Sequence, residues 1–148
     1  MSVNLPNNES TLHRVAHVLR IDRSRAPEDE LLKLYYEVIK EIHATLNRTV
    51  ITDYTIDPLR LFAGDFREIN HGLFEINKAE ENDNIDQIRE CLDNAYLQIM
   101  IPITIFDRIK DNKNLSLIKA YNKAFIECTI HLERSLDYFD SFFASKSP

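Results

Sequence analysis

The sequence predicts an all-α protein, an antiparallel four-helix bundle with an additional short N-terminal helix. Three observations lead there. Only two glycines and five prolines are spread over 148 residues, too few turn-formers for a many-stranded sheet and suited to long helices joined by short connections. Apolar residues recur in steps of three and four along most of the chain, the period of a helix with one buried face. Short polar breaks separate the last three runs, which makes those helices antiparallel neighbours. At 148 residues and 44% hydrophobic content the chain builds one well-buried core. A single domain is expected over residues 10–145, after an extended stretch at 1–9 and before a tail at 146–148.

The first helix is expected from Thr11 to about Ile21, with Ser10 as its cap and Leu12, Val15 and Leu19 at helical spacing. Pro27 at a first helical position, followed by Glu28, Asp29 and Glu30 facing the positive end of the dipole, opens the second. Leu31, Tyr35, Val38, Ile42 and Leu46 are its buried stripe. Thr49 to Asp57 reads as a loop ending in a cap, and Pro58 starts the third helix. Leu59, Phe62, Phe66, Ile69, Leu73 and Ile76 then alternate steps of three and four without a miss, the seam of a helix packed almost parallel to its neighbours. After Asn82-Asp83-Asn84, with Asn84 and Gln87 resembling a capping box, Ile85, Ile88, Leu92, Ala95, Ile99 and Phe106 line a fourth helix kinked at Pro102. Beyond the break at Asp111 to Asn114, the fifth carries Ile118, Tyr121, Phe125, Cys128, Leu132, Leu136, Phe139 and Phe143 inward.

A net charge of −6 argues against a surface that tracks nucleic acid or anionic lipid as a whole. No uninterrupted apolar run approaches the roughly 20 residues that cross a bilayer. The opening MSVNLPNNES lacks a basic stretch followed by an apolar one, and the expectation is a cytoplasmic protein. Cys91 and Cys128 fall in apolar helical surroundings and read as reduced core thiols.

Charge is unevenly placed. From Ser10 to Ala26, Arg14, Arg20, Arg23 and Arg25 against the single Asp22 make a local +3, leaving −9 on the rest of a chain whose total is −6. Such arginines suit phosphates or an acidic partner, because a planar guanidinium binds oxyanions in pairs of hydrogen bonds; they equally suit neutralising the acidic bundle from within. A second basic run, Arg108, Lys110, Lys113, Lys119 and Lys123 around Asp111, has no interleaved aromatics and so lacks the pattern of a single-strand groove.

Leu97, Ile101 and Ile105 recur every four residues opposite the main stripe of the fourth helix, leaving its second half apolar almost all round. Either the first helix and the loop from Thr49 to Asp57 cover this face, or a second chain does. On the third helix Arg60, Gly64, Arg67 and His71 face outward, and Gly64 is expected to admit a close helix approach.

Candidate chemistry is sparse. His13 and His17 stand four apart, a spacing by which two imidazoles hold zinc, but Arg14 occupies the place of the metalloprotease glutamate. Glu68-x-x-His71 matches half of a di-iron motif, yet on a helical wheel both residues turn away from the seam, and Glu127 with His131 does not supply the second half. No serine elbow or phosphate-cradling glycine loop occurs. No cofactor is expected.

An acidic helical bundle of this length is similar in size and helix order to HEPN domains, small RNA-cleaving or toxin-associated bundles whose site pairs an arginine with a histidine a few residues on. The nearest pair here is Arg67 with His71, separated by three residues where the family pattern has four to six. The resemblance implies a degenerate site at those two residues. Taken together, the sequence points first to a non-enzymatic helical interaction module that docks on another protein or on itself, with nucleic acid a less favoured partner and no membrane role.

Overall fold

The structure, a computed structural model, describes residues 9–48, 56–112 and 114–146 and, within them, all side chains but those of 110–112. Five helices follow in order: α1 Thr11–Val18, α2 Glu28–Arg48, α3 Asp57–Ala79, α4 Asp83–Asn112 and α5 Leu115–Lys146. The described residues contain no strand.

Side-chain acceptors for orphan backbone donors set the starts of α1, α4 and α5, whereas α3 begins at Asp57 itself after Ile56, with no side-chain cap in place of the one expected from Asp57. Ser10 Oγ accepts from the His13 amide at 3.0 Å, as the sequence suggests. Asn114 Oδ1 does the same for Ser116 at 2.8 Å. For α4 the cap lies two residues earlier than Asn84. Asn82 Oδ1 accepts from the Asn84 amide at 2.9 Å, and the Asn82 amide in turn donates to Asn77 Oδ1 at 2.7 Å, so the α3–α4 turn is closed from both sides.

Helix α1 is shorter than expected because Arg20 adopts the left-handed conformation, φ 59°. The amides of Arg20 and Ile21 return to the carbonyls of His17 and Ala16, the Schellman arrangement that ends a helix, here without the usual glycine. A non-glycine residue held there costs about 1 kcal/mol.

Helices α2 to α5 pack in a closed ring, each against the next and α5 against α2, and α1 lies across α2 and α3. The whole expected seam of α3 is buried, as are Ile85, Ile88, Leu92, Ala95 and Ile99 of α4 and Tyr121, Phe125, Cys128, Leu132 and Phe139 of α5. Tyr36 of α2 meets Phe139 and Phe143 edge to face at 5.8 and 5.6 Å, which fixes the α2–α5 side of the ring. Helix α4 runs unbroken through Pro102, which is buried; with no strand among the described residues to pair with, the β-branched run around it stays helical.

Of the two helical glycines, only Gly72 is closely approached by another helix of the chain. A Cβ on Gly64 would meet nothing within 4 Å, whereas one on Gly72 would fall on the Tyr35 hydroxyl and 2.8 Å from its Cζ. Gly72 is thus the seat of a tyrosine from α2.

Candidate functional site

The α3–α4 seam carries the richest polar constellation. Arg67, Asn70, His71 and Phe74 follow at one helical face of α3, and Arg89 and Asp93 stand one turn apart on α4. Asn70, almost fully buried, joins the two helices. Its Nδ2 donates to the Arg89 carbonyl at 3.1 Å and to Asp93 Oδ1 at 2.7 Å, and its Oδ1 accepts from Arg89 Nε at 2.7 Å. The amide therefore orients one cation and one anion at once.

Aromatic rings complete the support. The Arg89 guanidinium lies over Phe74, 4.9 Å from its centroid, and that of Arg67 over Tyr96 at 5.6 Å, attractions between cation and ring face. Among the described residues neither guanidinium forms an ion pair with a carboxylate. His71 sits at the rim, 3.9 Å from Glu75. Arg67, Asn70, His71, Phe74, Arg89 and Asp93 together line a shallow pocket of about 230 Å³.

The basic first segment is organised otherwise. Arg14 pairs with Glu41 of α2 and Arg23 with Glu68 of α3. Arg25 stands 3.9 Å from Asp22, both exposed, and Arg20 holds the strained turn. Asp22 accepts from the Ser24 hydroxyl and amide, bonds that hold its carboxyl below the usual range. Half of the arginines nominated for a ligand are thus partnered with acids of the bundle itself.

Beneath them lies a group the sequence reading missed. Asp65 of α3 is 2% exposed and accepts from the Thr11 amide at 3.1 Å, so it caps α1 from another helix. Burial pushes its carboxyl up to about 6 against the pull of hydrogen bonds from Leu12, Ser10 and Thr11, with the Glu68 charge adding to the rise.

His13 and His17 are exposed, His13 lying 3.2 Å from Glu9, and among the described residues no three His, Cys, Asp or Glu side chains gather as metal ligands. Glu68 and His71 turn outward, as the helical wheel indicates. Burial raises both thiols, Cys128 to about 12, so neither supplies a thiolate nucleophile near neutrality. No helix among the described residues is long and apolar enough to cross a membrane. Arg108, Lys119 and Lys123 are exposed, while the side chains of Lys110, Asp111 and Lys113 lie outside those described.

On α4, Leu97 is 61% and Ile101 37% exposed, with Ile105 partly buried against the core. The expected cover by the first helix does not form, because α1 packs on α2 and α3 and does not reach α4 among the described residues. The loop expected to share that role, residues 49–55, lies outside them. Ile126 and Ile130 of α5, not anticipated, are 54% and 37% exposed. Counted from the facing ends of α4 and α5, Leu97 and Ile130 lie equally far along their helices, as do Ile101 and Ile126.

No protein-family model, curated protein or solved structure matches the chain.

Proposed function

We propose that the protein is a helical interaction module acting through protein–protein contacts, self-association included, with the outer side of the α4–α5 hairpin as its apolar docking face. The observation that carries this reading is the exposure of four large aliphatic side chains on two helices that pack together, Leu97 and Ile101 of α4 and Ile126 and Ile130 of α5. Four large side chains left in water on adjacent helices are the material of an interface core. Light scattering tests it. The parent is expected to self-associate as concentration rises, and Ile101→Glu and Ile130→Glu to remain monomeric with unchanged helical content. A parent that stays monomeric at its solubility limit and gains nothing from these residues in any partner pull-down would remove the reading.

A second reading is favoured by the convergence of Arg67 and His71 on one pocket: a nucleic-acid-acting bundle with these as site residues. An RNA-cleavage assay of the parent against His71→Ala decides it, since equal rates would end it.

A further inference from the structure

We infer that the α3–α4 pocket receives an acidic side chain of a partner protein, its carboxylate taken by Arg67 and Arg89 and the neighbouring peptide N–H by Asp93. This deepens the interaction-module reading, and it concerns a different face from the α4–α5 hairpin.

Three features select that ligand. The first is charge. In a chain with 24 acidic against 18 basic residues, Arg14 and Arg23 pair directly with carboxylates, whereas Arg67 and Arg89 are held by rings and an amide and form no ion pair with a described carboxylate, Asp93 reaching Arg89 only through the Asn70 amide. Holding a guanidinium in place without a direct carboxylate partner leaves its remaining donors for an outside oxyanion, and a rigid fork loses little freedom on binding. His71, at the rim, adds a ring that can donate in either protonation state.

Size is the second feature. About 230 Å³ is below the roughly 300 to 1,000 Å³ of sites that bury a small molecule, but it accommodates one side chain projecting from a larger body. Arginine and aromatic residues in a shallow depression are also the composition of protein–protein hot spots.

The third feature is Asp93. Its carboxylate is part of the lining and is kept there by Asn70. A phosphate dianion brings acceptors only and would be repelled by it. A glutamate or aspartate within a peptide brings both an acceptor for the arginines and backbone N–H donors for Asp93.

The experiment is an NMR titration of the full chain, following the Nε–H signals of Arg67 and Arg89, with a short synthetic peptide alternating glutamate and glycine. Its glutamine counterpart, inorganic phosphate and a single-stranded RNA oligonucleotide are titrated in parallel. The expected result is saturable shifts with the glutamate peptide and none with the glutamine one. Arg67→Gln, whose side chain is exposed, and Arg89→Lys, which keeps charge but loses the fork, should each weaken binding by about tenfold or more, equivalent to about 1.4 kcal/mol, with melting temperature as the check on folding. Asp93→Asn should narrow the preference for peptide over phosphate. No shift with the glutamate peptide, tighter binding of phosphate or RNA, or an unaltered preference in Asp93→Asn would each overturn the inference. The Ile101→Glu chain keeps this pocket, so peptide binding by it separates the fate of this proposal from that of the hairpin face.

Discussion

The flank of α3 that meets α1 and α2 differs from the flank that meets α4 in where its polar groups find their partners. Toward α1 and α2, Asp65 caps a neighbouring helix, Glu68 takes Arg23 and Gly72 makes room for the Tyr35 ring; each group is answered from within the chain. Toward α4, Asn70 organises Arg89 and Asp93, yet Arg67 and Arg89 form no direct ion pair with a described carboxylate. One helix thus carries a finished side and a prepared one. The difference teaches that basic content is a poor guide to a binding surface, because half of the arginines in the first segment are taken up by acids of the bundle.

The largest expected effect lies on the finished side, at Asp65. Its carboxyl titrates near 6 in the folded protein against 3.8 without burial. Between those values the native state holds a proton that the unfolded state has released, so stability falls as pH rises through that window. Two pH units at 1.36 kcal/mol each amount to about 3 kcal/mol as an upper bound. Urea denaturation of the parent and Asp65→Asn at intervals from pH 4 to pH 7 isolates it, since the other carboxylates cancel in the difference. The parent should lose ground to the variant as pH rises; a constant difference would mean that Asp65 is hydrated and that this flank is not closed.

Next in size is the contrast between the glycines. Gly72→Ala should destabilise by about 2 kcal/mol, because the added methyl displaces a buried tyrosine and overpacking outweighs the gain in helix propensity. Gly64→Ala, with nothing within 4 Å, should stabilise by about 1 kcal/mol. Thermal melts give both signs. Equal shifts would erase the distinction between a packed and an open position on the same helix.

Much of the bundle was legible because burial imposes a period. Leu59 through Ile76 read as one unbroken seam, and Ser10 declared itself as a cap by chemistry and position alone. The outward turn of Glu68 and His71 also followed from the wheel. The pocket was half legible: Arg67 and His71 lie on one helix at short spacing, but Arg89 and Asp93 join them only through the α3–α4 register, which Asn70 reports after folding. Asp65 was invisible for the same reason, since a carboxylate beside the seam looks like any solvated acid until α1 is laid over it. The choice between Gly64 and Gly72 depended on where one tyrosine ring of α2 ends, a tertiary detail that periodicity does not encode.

The smallest effect is the sharpest discriminator between the two flanks. Arg23 and Glu68 form an ion pair with side chains 33% and 54% exposed, and pairs of that kind contribute about 0.5 kcal/mol or less. Arg23→Gln should therefore lower stability by only that much, weaken further loss on adding salt because the pair is already gone, and leave binding of the glutamate peptide unchanged. Arg67→Gln should cost a comparable amount of stability, that of its attraction to the Tyr96 ring, but lower peptide binding by about tenfold or more. Measuring both variants in both assays therefore shows similar stability losses and a binding loss in Arg67→Gln alone if one flank is structural and the other faces a partner. If Arg23→Gln reduced peptide binding as much as Arg67→Gln, the arginines of the first segment would belong to the same surface, and the division of α3 into two differently finished flanks would fail.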